Sequence, residues 1–375
     1  MRYICTAVVA TLALAGTSFA ATINVPGDHA TIQGAINASS HGDVIAIAAG
    51  TYNEHSIDTD GKAITIGSAS GNLDVTIDAN GGGSVFRIES GETSGTVIKD
   101  LVITGGLANY GGGIYCGNSS PTISGCTIEG NTTNDDGEGG GIYCEDSSPT
   151  ITNCTISGNM ATGSQGNGGG IYCDNSEPTI SGCTISGNTA HYSGGGISCY
   201  GSEPTISNCT ISGNTAFDGG GISCYGSWPT TTISDCTISG NTAYYGGGIS
   251  CYGTYAAISD CTIEGNTANF YGGGAIYSED SSPTITGCTF TSNMPNTIFG
   301  DITLGGSPST TGACCVSSGC HALTEDACAG MGGTWLGEDA SCDDCPASCM
   351  GDTDGNGVVN IEDLLNMLGS WGACP

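Results

Sequence analysis

The sequence predicts an all-β solenoid, a parallel β-helix with about 26 residues per coil. Three observations predict it. A glycine-rich phrase recurs at near-constant spacing, each unit holds three short β-prone runs split by turn residues, and no helical period crosses the region. Three strands and three turns in so short a unit close one coil. A propeller blade needs about 40 residues, and a leucine-rich repeat needs leucines that these units lack.

The phrase Gly-Gly-Gly-Ile begins at Gly111, Gly139, Gly168, Gly194, Gly219 and Gly246, and becomes Gly-Gly-Gly-Ala-Ile at Gly272. In the unit from Gly194 to Ala216 the runs are Ile-Ser-Cys, Pro-Thr-Ile and Cys-Thr-Ile-Ser. Strand side chains alternate, so Ile197, Cys199, Ile206, Cys209 and Ile211 point inward. Repetition stacks them into columns such as Ile123, Ile151, Ile180, Ile206, Ile233, Ile258 and Ile285. A second column ends on Phe290 after Ile128, Ile156, Ile185, Ile211, Ile238 and Ile263. Asn131, Asn159, Asn188, Asn214, Asn241, Asn266 and Asn293 form a polar column, expected to bond to neighbouring coils. The glycine triplets permit tight corners.

Thirteen cysteines fall into two columns, Cys116 to Cys251 and Cys126 to Cys288, with Ser278 closing the first. An odd number cannot pair completely. Stacked neighbours sit about 4.8 Å apart, wider than the Cβ separation a disulfide prefers. Buried thiols acting as small apolar groups, or bridges across one coil, are both open at this point.

The repeats are flanked by distinct ends. Arg2, the apolar run Ile4 to Ala15, and Ser18-Phe19-Ala20 read as a secretory signal peptide at 1–20, so an exported or cell-surface protein is expected. The stretch around Ala30 to Ala38 is expected to form a capping helix over the open end of the solenoid, N-capped by Thr31 or Asp28. The β-helix is placed at 21–306, with cap and first coils at 21–106 and repeats at 107–306. A cysteine-rich segment follows at 307–348. There His321, Cys342 and Cys345 are zinc candidates, but an oxidising compartment favours disulfides.

The last segment, 349–375, carries the strongest local chemistry. Asp352, Asp354, Asn356, Val358, Asn360 and Asp363 fall at positions 1, 3, 5, 7, 9 and 12 of a loop with Gly357 at position 6. Oxygen donors at that spacing, the seventh from a main-chain carbonyl, suit Ca²⁺. Ile361, Leu364, Leu365, Leu368 and Trp371 then mark an amphipathic helix.

Three resemblances follow from these residues. Ile-Asn-Val-Pro, Ala-Thr-Ile-Gln-Gly-Ala-Ile and Gly-Asp-Val-Ile-Ala-Ile-Ala-Ala-Gly-Thr-Tyr in 22–106 resemble the entry segment of right-handed β-helix proteins, which implies that handedness. Gly273-Gly274-Ala275-Ile276 and Phe290-Thr-Ser-Asn293 resemble polymorphic outer-membrane-protein repeats. The calcium loop resembles a dockerin module, which implies anchoring to a cell-envelope protein or glycan through one loop.

Composition narrows the partners. Four Lys and Arg face 36 Asp and Glu, for a formal net charge of −32, and no basic Lys or Arg follows Lys99. Nucleic acid is therefore excluded as a partner, since phosphates need basic surfaces. No apolar run is long enough to expect membrane insertion, and a monomeric β-helix is expected.

For catalysis, a lyase of acidic polysaccharide wants a lysine or arginine base, which the repeats lack. An inverting hydrolase wants paired carboxylates, and the nearest cluster, Asp135, Asp136 and Glu138, reads as an insertion loop. His191 stands alone. The expectation is accordingly a non-enzymatic adhesion or surface-structural protein with Ca²⁺ as its only cofactor. A polysaccharide-acting lyase or inverting hydrolase is the alternative. The outward Thr155/Ser157, Thr184/Ser186, Thr210/Ser212 and Thr237/Ser239 ladders offer ice or glycan binding as a further one.

Overall fold

A computed structural model describes residues 20–304, apart from 227–229, 271 and 296, together with the backbone of three short strands at Gly312–Val316, Gly319–Leu323 and Thr334–Trp335. The calcium-loop residues Asp352, Asp354, Asn356, Val358, Asn360 and Asp363 lie outside the described residues, as do Cys342, Cys345 and nearly all of the signal segment.

The chain winds as a parallel β-helix. The first face is a twelve-stranded parallel sheet running from Thr22–Val25 to Thr303–Leu304. The second and third faces have ten strands each, from Gly50–Tyr52 to Thr289–Thr291 and from Ile57–Asp58 to Ile298–Phe299. Neighbouring coils pair in register, so like residues meet. Ile180 pairs with Ile206, Ile185 with Ile211 and Cys173 with Cys199. The short outward-bounded strands bury one isoleucine each, and the two isoleucine columns are almost wholly buried.

A fourth, shorter ladder was not expected. It runs through Leu107–Tyr110, Thr132–Glu138, Met160–Ala161 and Thr189–Ala190, and resumes at Thr242–Ala243 and Thr267–Ala268. The residues after each corner asparagine, such as Thr189–Ala190 and Thr242–Ala243, are thus strand, not turn. Asp135, Asp136 and Glu138, expected in an insertion loop, belong to this ladder. Asp136 accepts hydrogen bonds from Ser164 Oγ (3.0 Å) and the Gln165 N–H (3.2 Å) of the next coil.

The asparagine column is a continuous buried ladder. Asn214 Nδ2 donates to Asn241 Oδ1 (3.0 Å) and to the Ile185 carbonyl (2.9 Å), while its own Oδ1 accepts from Asn188 N and Nδ2. Each amide therefore satisfies main-chain groups at a corner that no sheet reaches. The corner glycines are needed for space. A Cβ on Gly221 would meet the Gly248 carbonyl oxygen at 2.5 Å. In the last full coil the corner moves one residue, to Gly273 (φ +85°), and Ala275 takes the third glycine's place.

The thirteen column cysteines are unpaired thiols, and all but Cys288 are buried. In the second column each thiol leans on a carbonyl of its own turn, as Cys209 on Ser207 at 3.2 Å. They act as small apolar core groups.

The N-terminal end is closed by the helix Ile32–Ala38, which buries Ile32, Ala35 and Ile36. Thr31 is its N-cap, accepting from the Gly34 N–H at 3.0 Å, and the Glu54 carboxylate accepts from the Ile32 and Gln33 N–H groups. Asp28 instead bonds Asn24. No helix among the described residues is long and apolar enough to cross a membrane.

Candidate active site

The third face carries the site. Its strands follow an Ile-x-Cys-x pattern, so the two x positions point outward. The first outward position reads Arg87, Tyr115, Tyr143, Tyr172, Ser198, Ser223, Ser250, Tyr277 and Phe299 from coil to coil. Three consecutive serines interrupt an aromatic row. Where a tyrosine ring would stand, these rungs have a hydroxymethyl group, which opens a slot about three coils long. Tyr172 and Tyr277 stand at its two ends.

Stacked aromatics wall the slot. On one side the second outward position supplies Tyr200, Tyr225 and Tyr252, with ring centroids 5.4 and 5.1 Å apart and planes within 10°. On the other, residues just before the glycine corner supply Tyr192 and Phe217, stacked at 6.1 Å, with Tyr245 edge-on to Phe217 at 5.6 Å; Tyr244 and Phe270 carry the stack on outside the cleft, at 4.9 and 4.5 Å. In-register coils bring like rings to one-rung spacing, and near-parallel stacking fits that spacing. Tyr192, Tyr200, Phe217, Tyr225 and Tyr252 stay exposed, while Ser198, Ser223 and Ser250 are buried on the floor. The cleft encloses about 990 Å³.

One carboxyl is set into this floor. Asp218 precedes the corner Gly219 and forms bridges to Ser193 on one side and Tyr245 on the other. Its N–H donates to the Tyr192 carbonyl and its carbonyl accepts from the Gly194 N–H, each at 2.8 Å. The main chain thus fixes the side chain at the cleft. The residue as a whole is half-buried, but its Oδ1 is fully buried and has no hydrogen-bond partner. Burial pushes the Asp218 carboxyl up to about 6. A hydrogen bond with Ser250 pulls it back and the charge of Glu279 pushes it further up. Around neutral pH this group can hold or release a proton.

Two more acids line the cleft. Glu279 ends the strand Ile276–Glu279, two coils beyond Asp218, and its Oε2 accepts from the Tyr277 hydroxyl at 2.6 Å. Glu138 lies in the column Glu138, Asn167, Ser193, Asp218, three rungs or about 14 Å from Asp218. Burial raises the Glu138 carboxyl, against a 2.9 Å hydrogen bond from Asn167 Nδ2. Beside it, Asp174 is also raised, first by burial and then by Glu145 and Asp146. At three rungs Glu138 and Asp218 are too far apart to act on one bond.

Of the acids considered from sequence, Glu138 alone reaches the cleft. Asp135 and Asp136 are exposed on the fourth ladder, and His191 is exposed beside Tyr192 without lining the cleft. Asp218 and Glu279 were missed. The available signal was the break from tyrosine to serine at Ser198, Ser223 and Ser250, with aromatics repeating two residues before the glycine corner. Among the described residues, no group of three or more His, Cys, Asp or Glu side chains is placed to hold a metal ion.

Comparisons bear on the fold. The family model described as "Right handed beta helix region" matches residues 62–192 and 140–325, well over half of the chain. No curated protein matches the sequence. An alginate lyase from Paenibacillus sp. str. FPU-7 is a similar solved structure, at 18% identity and TM-score 0.45, covering 76% of this chain and 99% of that one. The Agl-KA catalytic domain is another, at 16% and 0.42, covering 80% and 70%. A third is the catalytic unit of a thermostable GH87 alpha-1,3-glucanase from Streptomyces thermodiastaticus strain HF3-3, at 14% and 0.30, covering 73% and 64%. The expectation of a non-enzyme is corrected at the cleft, which sets Asp218, Glu138 and Glu279 into one aromatic-walled hollow; the similar structures are named as a lyase and two catalytic units. That expectation rested on the missing basic residues and on Asp135 and Asp136, and it overlooked acids that the coils bring together. At such identities and TM-scores the likeness extends to the fold, and no substrate is taken from it. The chain belongs to the right-handed beta helix family.

Proposed function

We propose that the chain is an exported polysaccharide-acting enzyme whose active site is the serine-floored cleft of the third face. The observation that carries the reading is the Asp218 carboxyl, raised to about 6 by burial, with an unpartnered buried oxygen between two aromatic walls. A protein core has no use for such a group. A glycosidic oxygen that must be protonated as its bond breaks does.

Sugar rings present apolar C–H faces edged by hydroxyls. Flat tyrosine and phenylalanine stacks meet those faces, and Ser198, Ser223 and Ser250 together with tyrosine hydroxyls meet the edges. Asp218 is the general acid. Glu279, oriented by Tyr277, is the acceptor for the proton of the attacking water. Their coils are offset by two rungs, about 10 Å along the axis. That offset is well beyond the roughly 5 Å spacing of a retaining pair, and the two side chains must lean toward one another to reach the roughly 6.5–9.5 Å of an inverting one.

The test is release of reducing ends from polysaccharides by the full chain. Asp218→Asn and Glu279→Gln should each cost about 100-fold or more in kcat. Unchanged turnover in Asp218→Asn removes the proposal. The loop from Asp352 to Asp363 remains the proposed Ca²⁺ site, and its dockerin-like form the proposed attachment to a cell-envelope protein or glycan.

A further inference from the structure

We infer that the polymer taken by this cleft is uncharged, a neutral glycan laid lengthwise along the solenoid axis and cut by hydrolysis rather than elimination. This rests on the reading of the cleft as a polysaccharide site, and it is decided by charge, shape and chemistry.

The charge is of one sign. Glu138, Asp218 and Glu279 line the cleft, and Glu145 and Asp174 continue the Tyr200 row beyond it. No lysine or arginine follows Lys99 in the sequence, so no cation of the chain's own stands opposite a uronate carboxylate. Arg87 shares the face but lies four rungs, about 19 Å, from Ser198. Its guanidinium is already held by Glu89 at 2.6 Å and lies over the Tyr115 ring at 4.7 Å. A polymer with a carboxylate on every sugar would place like charges against like in a half-buried site, which binding energy is poorly able to offset.

The shape is linear. The two aromatic walls run parallel to the axis, Tyr200, Tyr225 and Tyr252 stacked over two rungs on one side and Tyr192, Phe217 and the edge-on Tyr245 over two on the other. Rings stacked coil upon coil make continuous strips, suited to successive sugars of one chain rather than to a single small molecule.

The chemistry agrees with the charge. Elimination removes a proton from a carbon acidified by a neighbouring carboxylate, and a neutral sugar has none. In hydrolysis the Asp218 proton passes to the glycosidic oxygen as the bond from that oxygen to the anomeric carbon breaks. Water forms the new bond to the anomeric carbon and gives its proton to Glu279. One water is consumed, and exchange with solvent returns the proton to Asp218.

The experiment uses the full chain on soluble α- and β-glucans, a mannan and a xylan, against alginate and polygalacturonate. Each polymer is tested in EDTA and again with Ca²⁺. Reducing ends report either reaction, and ultraviolet absorbance of an unsaturated sugar reports elimination alone. Affinity electrophoresis through gels carrying each polymer reports binding. The expected result is reducing ends from at least one neutral polymer, no unsaturated product, and preference over uronate polymers of more than about tenfold. Phe217→Ala and Tyr225→Ala, on opposite rims, should each raise KM, with folding checked by circular dichroism. Unsaturated product from a uronate polymer in EDTA overturns the inference and leaves the polysaccharide reading standing. Retardation by neutral gels without turnover overturns the enzyme and upholds the ligand class. Neither binding nor cleavage of any polymer overturns both.

Discussion

Replacing Asp218 by asparagine should stabilise the protein at neutral pH while removing its activity. The carboxyl rises to about 6 in the fold, from an ordinary value of 3.8, because it is buried. Between those two pH values the folded chain holds more protons at this site than the unfolded chain. The site's contribution is therefore favourable below about pH 4, declines as pH rises through the folded value, and is lost above it. A rise of about 2 pH units corresponds to about 3 kcal/mol, an upper bound because the residue is only half-buried by area. Asparagine has nearly the same shape, keeps a donor and an acceptor, and cannot ionise. The assay is thermal and urea unfolding of wild type and Asp218→Asn from pH 4 to 8. The two proteins should be closest at about pH 4 and below and separate through about pH 4 to 6, with the variant the more stable and the gap constant above about pH 7. A difference that does not change with pH refutes the reasoning, because the carboxyl would then not be desolvated.

Three other perturbations test other levels of the structure. Asn214→Ala removes a side chain that donates to Asn241 and the Ile185 carbonyl and accepts from Asn188. Several buried groups lose their partners, so denaturant unfolding should show a loss of about 3 kcal/mol or more. Ser223→Tyr puts into the middle of the slot a ring that the same column already accommodates at Tyr143 and Tyr172. Glycan binding should vanish with the unfolding midpoint nearly unchanged, and retained binding in gel retardation counts against the cleft. Titration calorimetry with Ca²⁺ should give heat for wild type and little for Asp352→Ala, whereas a silent wild type removes the calcium loop.

Much of the scaffold was legible because its signal is periodic and redundant. Each inward column is written seven times or so, and a missed residue such as Ser278 or Phe290 does not disturb the register. The cysteine columns were located without difficulty, but whether they bridged depended on geometry that spacing does not encode. The fourth ladder escaped because from Met160–Ala161 onward its strands, such as Thr189–Ala190, Thr242–Ala243 and Thr267–Ala268, are two residues long, too short to show a period. Asp218 escaped for a deeper reason. In sequence it is one acid among many in a variable stretch before a glycine corner. Its burial comes from Tyr192, Phe217 and Tyr245 in cis and from Ser250 one coil later, so no local window contains its environment.

This division follows from how a solenoid is stabilised. Burial of isoleucine and satisfaction of asparagine depend on each coil matching its neighbours, so inward positions are constrained at every rung. Outward positions contribute little to that match and are free to differ from one coil to the next. A site on such a scaffold is therefore made by exceptions. Three serines in a tyrosine row create the hollow, an aspartate among Asn167, Ser193 and Tyr245 supplies the proton, and a glutamate after three tyrosines supplies the acceptor. The coils that depart from the repeat on their outer surface while keeping most of it inside, Gly194 to Glu279, are those that hold the cleft. Function and stability are thus carried by different residues of the same strands. Asp218 is the exception that crosses between them, since the burial that tunes its proton also costs the fold stability at neutral pH.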